Sequence, residues 1–411
     1  MLLDWLLARL IRVGTLTLVD ADGRTHVYRG EPGPVVRVRL HDRALHWRLP
    51  LNLHLAAGEA YMDGTLTVKG GTIFDLLTLV AMNLPALEAH PLFAVGIWLQ
   101  RIMRRLHQFN PMGRARANVA HHYDLSGALY DLFLDRDRQY SCAYFANPDD
   151  DLDTAQANKK NLLATKLLLN DGQKVLDIGC GWGGLALTLA RRAKVDVTGV
   201  TLSTEQFQMA CDRAQEAGLT KRVRFQLRDY RKQDGRFERI VSVGMFEHVG
   251  VPHYRTFFTK IRDLLTEDGI ALIHTIGRAD GPGATSPWIR KYIFPGGYIP
   301  ALSEVTAAIE RSELFITDVE VLRLHYAETL RHWRERFLAN WDKAVALYDD
   351  RFCRMWEFYL AASEVAFRHL GLVVFQIQLA RMQDAVPLTR DYLTDADRKM
   401  TRRNGEKQQA A

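Results

Sequence analysis

Val175-Leu-Asp-Ile-Gly-Cys-Gly-Trp-Gly-Gly184 is the stretch whose reading decides the fold. Lys174 to Ile178 reads as a short apolar strand, the glycines as a turn, and Trp182 to Arg192 as a helix. Gly179, Gly181 and Gly183 remove the Cβ atoms that would keep a ligand away from the backbone. The helix that follows opens with N–H groups that have no partner within it. A glycine corner without a ligand is the plain alternative. A dinucleotide fingerprint is a poorer match, because it requires G-x-G-x-x-G and here the third glycine falls one position early.

Leu176-Asp-Ile178 ahead of the glycines sharpens the reading. With it, the loop resembles motif I of the class I S-adenosylmethionine (SAM) methyltransferases, where the turn cradles the amino-acid end of the cofactor. From His122 onward the chain alternates strands and helices. Strands are predicted at Lys174–Ile178, Val195–Thr201, Val223–Leu227, Arg239–Val243, Ile270–Thr275, Val319–Leu324 and Val373–Leu379. Helices are predicted at Thr154–Leu169, Gly184–Arg192, Thr204–Ala217, Pro252–Leu265, Ser303–Ser312 and, with interruptions, Glu328–Leu370. This alternation implies a doubly wound, Rossmann-like α/β sheet.

The front of the chain reads differently, as a smaller α+β domain over residues 1–100. A helix from Leu2 to Val13 leads into strand-like runs at Thr15–Val19 and Val35–Leu40, with turn chemistry at Asp22-Gly23 and Pro32-Gly33. Gly58-Glu-Ala-Tyr-Met-Asp-Gly64 reads as a loop, and Thr72 to about Met82 as a helix. Residues 101–120 form a basic linker with Arg101, Arg104, Arg105, His107, Arg114 and Arg116. It is either a solvated helix end or a contact for anionic headgroups. Leu2, Trp5, Leu6, Arg9 and Leu10 give the first helix an apolar face with a basic border. That face either lies in a membrane interface or packs on its own domain. The catalytic domain is placed at 121–395, and the polar tail 396–411 reads as disordered.

The chain of 411 residues has room for two domains and a sizeable core. A net charge of +6 permits an anionic partner, nucleic acid or membrane, without choosing one. Cys142, Cys180, Cys211 and Cys353 form no C-x-x-C pair, so neither a metal site nor a disulfide framework is indicated. The apolar N-terminus is too short and too interrupted for a signal peptide. The run Ile73–Leu99 is broken by Asp75, Pro85, Glu88, His90 and Pro91. The expectation is a cytoplasmic protein, peripheral at the inner membrane surface.

Chemistry collects at strand ends. After the second strand of the sheet, where an acidic residue usually holds ribose, the chain reads Gly199-Val-Thr-Leu-Ser-Thr-Glu-Gln206, leaving Thr201, Leu202 and Gln206 for backbone and amide contacts. Asp229-Tyr230 follows the third strand, as a cofactor neighbour or a helix-start cap. After the fourth strand, Val243-Gly-Met-Phe-Glu-His-Val-Gly250 puts Glu247 and His248 at the ligand edge, and the fifth ends in His274. On an apolar strand a histidine is commonly a satisfied core residue; the end position favours a site.

His121-His-Tyr-Asp-Leu-Ser126, Tyr140-Ser-Cys-Ala-Tyr-Phe145, the glycine loop, Val243–Gly250, His274-Thr-Ile-Gly277 and Lys291-Tyr-Ile-Phe-Pro-Gly-Gly297 occur in this order. The series closely resembles the bacterial cyclopropane-fatty-acyl-phospholipid synthases over about residues 120–385, and more weakly at Gly58–Gly64. The resemblance implies transfer of a SAM methyl group to the cis double bond of a phospholipid acyl chain. A carbocation forms, a bound bicarbonate ion deprotonates it, and the ring closes. It implies that Cys142, Glu247, His274, the Ile276 backbone and Tyr326 hold the bicarbonate. It assigns Tyr123, Ser141, Asp177, Gly179, Gly181, Thr201, Leu202, Gln206, Asp229 and Tyr230 to SAM. Asp177 is alternatively a partner for loop N–H groups. Tyr123, Tyr140, Tyr144, Phe246 and Tyr292 are candidates to face the cation. The implied partners are a bilayer with unsaturated chains and a second copy of the chain. A fatty-acid methyltransferase leaving a methyl or methylene branch is the nearest rival. An inactive lipid-binding module and a nucleic-acid methyltransferase are further ones, and the latter lacks its Asn/Asp-Pro-Pro-Tyr/Phe motif after the fourth strand.

Overall fold

Spacings of three and four residues put Leu3, Leu6 and Leu10 on one face of the helix Leu2–Leu10, and that face is buried. The structure, a computed structural model, describes residues 2–88 and 127–395. Of these, 2–88, 284–295 and 330–372 form one compact unit, and 127–283, 296–329 and 373–395 another. The basic linker, the His121–Ser126 motif with Tyr123, and the tail lie outside the described residues.

The first unit carries a four-stranded sheet of β1 (Val13–Val19), β2 (Thr25–Arg29), β3 (Glu31–Leu40) and β4 (Leu66–Gly70), in the order β2-β1-β3-β4. Leu16, Leu18, Val36, Val38 and Leu40 alternate inward and join Leu3, Leu6 and Leu10 in its core. The interfacial reading of the first helix therefore fails for Leu6 and Leu10, which pack on their own unit; Trp5 stays outside with the Arg9 guanidinium over its ring. Two further expectations change. Pro32-Gly33 is not a turn but lies in β3, where the register with β1 shifts. Gly58–Met62 is not a loop but the end of the helix Leu53–Met62. Gly58 is there for close approach: a Cβ would stand 2.4 Å from the Trp288 indole nitrogen. The helix Asp350–His369 completes this unit, with Tyr61 Oη donating to Glu357 at 2.6 Å and Arg354 to the Met62 carbonyl at 2.8 Å.

The second unit is built on β5 (Lys174–Ile178), β6 (Asp196–Thr201), β7 (Val223–Leu227), β8 (Phe237–Val243), β9 (Leu265–Arg278), β10 (Phe315–Leu322) and β11 (Leu372–Ala380). Their order is β10-β11-β9-β8-β5-β6-β7. The pairs β5–β6, β6–β7, β5–β8 and β8–β9 are parallel, and β10–β11 is antiparallel. Neighbouring residues feed opposite faces: Val175, Val241 and Leu272 enter one core, and Leu176, Ile240 and Ile273 the other. A sheet apolar on both faces must be covered by helices on both, as the alternation implied.

Candidate active site

β5 is followed outward by β6 and β7 on one side, and the chain then returns to add β8 and β9 on the other. The loops leaving the carboxyl ends of β5 and β8 therefore diverge and open a crevice. A cavity of about 190 Å³ lies there, lined by Ser141, Asp177, Gly179, Gly181, Thr201, Leu202, Gln206, Asp229 and Tyr230 among others. These are the described residues that the sequence reading assigned to SAM. Arg138, Trp182, Met245, His248 and Arg231 also line it, and the sequence reading did not assign them to the cofactor.

The turn is made for a close ligand. Gly179 and Gly181 adopt φ of +80° and +53°, and a Cβ on Gly181 would meet nothing within 4 Å. The Gly179 and Cys180 N–H groups donate to the Val200 carbonyl at 2.9 and 3.1 Å, so they do not occupy Asp177. Asp177 Oδ2 is buried without a hydrogen-bond partner among the described residues. Burial pushes this carboxyl up to about 7, with Lys159 pulling the other way. An orphaned carboxylate beside an unobstructed backbone fits the ammonium and chain of an amino-acid ligand, as SAM presents. Thr201 Oγ1 donates to Gln206 Oε1 at 2.9 Å. Asp229 does what a cap does, accepting from the Arg231 N–H at 3.0 Å, and also receives the Arg231 guanidinium at 2.9 and 2.6 Å.

None of the five candidate catalytic residues lines the cavity, though Ser141 and Met245, close to Cys142 and Glu247 in the chain, do. Pairing of β8 with β9 sets Val243 opposite His274, and the Gly244 N–H donates to the His274 carbonyl at 2.9 Å. Glu247 sits on the short turn Phe246–His248 just beyond, and its Oε1 accepts the Ile276 N–H at 2.7 Å. Its Oε2 is buried and unpartnered among the described residues. Burial pushes the Glu247 carboxyl up to about 7, the Ile276 N–H opposing it. His274 is buried with Nδ1 3.1 Å from Gln376 Nε2, and burial keeps its ring from charging. Burial likewise pulls His248 down to about 4.

A second cluster holds Cys142 and Tyr326. The Ala143 N–H donates to Thr329 Oγ1 at 3.0 Å and the Phe145 N–H to His325 Nδ1 at 3.1 Å. His325 and Thr329 flank the buried Tyr326 in the first turn of the helix His325–Ala339, so both segments share one frame. Burial drives the Cys142 thiol far above its usual range, making it a weak donor rather than a nucleophile. Among the cation-facing candidates, Tyr140 lines the cavity, Tyr144 stacks on His325, Phe246 stacks on Tyr254 in the core, and Tyr292 belongs to the first unit and bonds Glu59.

The residue that joins the clusters was missed. Lys159 is buried, donates to Gln139 Oε1 at 2.6 Å and Ser141 Oγ at 2.9 Å, and bears electrostatically on Cys142, Asp177 and His274. Burial pulls its ammonium down to about 8. One signal existed. On the helix Leu152–Lys166, the buried positions Leu152, Ala155, Lys159, Leu162 and Lys166 follow the three-and-four spacing of an inward face.

Residues 111–377 match the model of the family described as mycolic acid cyclopropane synthetase. The chain belongs to this family. The cyclopropane-fatty-acyl-phospholipid synthase of Escherichia coli K12 is 39% identical over 329 residues, 80% of this chain and 83% of that one. A probable fatty acid methyltransferase of Pseudomonas putida is 45% identical over 267 residues, 63% of this chain and 68% of its own. The mycolic acid cyclopropane synthase CmaA1, solved with SAH and CTAB, superposes with a TM-score of 0.62 at 34% identity, covering 66% of this chain and 99% of that one. Like other cyclopropane synthetase family members, this chain is a SAM-dependent enzyme of the methyltransferase class, with the α/β sheet of that class.

Proposed function

We propose that this enzyme converts the cis double bond of an unsaturated acyl chain in a membrane phospholipid into a cyclopropane ring. The observation that carries the reading is Glu247, buried at the end of β8 with one oxygen tied to the Ile276 N–H and the other unpartnered among the described residues. Bound SAM supplies an electrophilic methyl group, for which the Asp177 carboxylate and the glycine turn hold the amino-acid end. Cys142, Glu247, His274, Tyr326 and the backbone at Ile276 hold bicarbonate, which supplies the base for the proton that the new methyl must lose. A side-chain carboxylate placed as that base would be open to alkylation by the carbocation. Glu247, with its proton affinity raised to near neutrality, can keep a proton and donate it to a bound anion, while its other oxygen stays tied to the Ile276 N–H. The thiol and the neutral imidazole donate without adding charge. Exclusion of water protects the cation from hydration.

The test is direct. The protein is incubated with SAM, bicarbonate and liposomes of unsaturated phospholipid, and proton NMR is taken of the recovered lipid. High-field cyclopropyl signals are expected. Loss of olefin with a branched methyl or methylene signal would move the reading to a fatty-acid methyltransferase, the activity named for the Pseudomonas relative.

The first unit is proposed to meet the bilayer, and the active form to be a homodimer as the family resemblance implies. Trp47 and Leu51 are 62% and 78% exposed on the helix Leu45–Leu51, and they take over the role first considered for the opening helix. Deleting residues 1–100 would strip the later segments of the same unit, so point changes are the better probe. Trp47→Ser with Leu51→Ser is expected to weaken liposome flotation about tenfold or more. Undiminished flotation would remove this surface from the proposal.

A further inference from the structure

β11 is apolar except for Gln376 and Gln378, which lie two residues apart and so on one face. Both are buried, and buried amides are costly unless their hydrogen bonds are made. Both bond Lys166, and Gln378 also accepts from Thr317 and donates to Tyr392. Gln378 Nε2 donates to the Lys166 carbonyl at 2.6 Å. The Lys166 ammonium donates to Gln376 Oε1 at 2.7 Å and also to Glu320. An ammonium has only donors, so the amide atom that faces it must be the oxygen. Chemistry alone thus fixes the orientation of the Gln376 amide. The other amide atom, the nitrogen, then faces His274 Nδ1 at 3.1 Å. That nitrogen can only donate, so Nδ1 must accept and carries no proton. The ring is neutral, because burial and the charges of Lys159 and Lys166 oppose an imidazolium. Its one proton is therefore on Nε2.

We infer that Gln376, aligned by Lys166 and Glu320, is a positioning residue that holds His274 as the Nε2–H tautomer, so that His274 donates a hydrogen bond to the ligand of the catalytic site and does not act as its base. The inference rests on the reading of His274 as part of an anion site, and it removes the imidazole from the candidates for proton removal. The same chain of bonds fixes the ring plane, since the acceptor nitrogen is tied to a core strand.

The proton position can be read in the intact protein. Long-range proton–nitrogen correlation spectra of histidine-labelled enzyme with SAH bound, assigned against His274→Gln, are expected to show His274 protonated at Nε2 only. A proton on Nδ1 in the wild type would overturn the inference, and this measurement needs no variant of Gln376 to fold. Gln376→Glu replaces the donor by an acceptor. It is expected to bring a proton onto Nδ1 and to cut the rate at least about a hundredfold, as a wrong tautomer does elsewhere. SAH affinity by calorimetry should stay within about threefold, since Gln376 does not line the cofactor cavity. An unchanged His274 spectrum in Gln376→Glu, or a moved proton with an unchanged rate, would each overturn it. Wild-type assays with and without bicarbonate test the anion reading separately: a bicarbonate-independent rate overturns that reading, while the nitrogen spectrum still decides the tautomer.

Discussion

The cofactor cavity and the proposed catalytic cluster are built from different materials. The cavity is mainly a backbone product: positive φ at Gly179 and Gly181, amides satisfied by the Val200 carbonyl, and Asp229 paired with Arg231. The proposed catalytic cluster is a side-chain product. Cys142, Lys159, Glu247 and His274 come from distant parts of the sequence, are buried, and have their protonation displaced toward neutrality. The difference teaches that binding a charged cofactor and handling a cation ask for opposite environments. The first wants fixed dipoles and open access, the second wants charges suppressed and water kept away.

The sharpest way to break this comparison is at Glu247. Glu247→Ala should lower ring formation about a thousandfold, read as cyclopropyl signal per turnover time, while SAH affinity by calorimetry changes by less than about threefold. Equal losses in both would mean that the two regions are one site. The converse change is Gly181→Val. A branched residue resists φ of +53° and projects into the cavity, so SAH affinity should fall about ten- to a hundredfold. A retained affinity would contradict the backbone-made cradle.

Asp177 is the place where the two materials meet, and its test is one of stability. In the fold its carboxyl is raised to about 7 from 3.8, so between those values the folded state binds more protons and stability falls as pH rises. Above pH 7 the full cost is present, and below pH 4 it is gone. Asp177→Asn should therefore stabilise the ligand-free protein at pH 8 by an amount on the order of a few kcal/mol. That advantage should vanish toward pH 4, and cofactor affinity should drop. Thermal melts across this range decide it; a variant less stable than wild type at pH 8 would show that Asp177 has a partner in the ligand-free state.

Legibility in the sequence follows the same division. Backbone features announce themselves, because a glycine turn after an apolar strand has a spacing and strand-helix alternation has a period. Strand starts and ends drifted by a few residues, as at β9, which runs Leu265–Arg278 rather than Ile270–Thr275. Helical spacing marks Lys159 as inward-facing but not what it bonds, and Gln376 carries no such mark: the roles of both become visible only with the tertiary contacts that satisfy them. Gly58 misled for the opposite reason. Its role is contact with Trp288, 230 positions away, and no local pattern distinguishes that from a turn.

The first unit closes only with residues 330–372, whose helix Asp350–His369 receives the Tyr61 hydroxyl. During synthesis the helices that Asp350–His369 covers must therefore wait. At usual ribosomal speeds the interval between residue 88 and residue 372 is roughly fifteen seconds to a minute. Through that time Leu53–Met62 and Ile73–Glu88 remain without the helix that later covers them. The nascent chain thus carries an unfinished apolar surface for most of its birth, which makes this unit, rather than the catalytic sheet, the natural client of a chaperone.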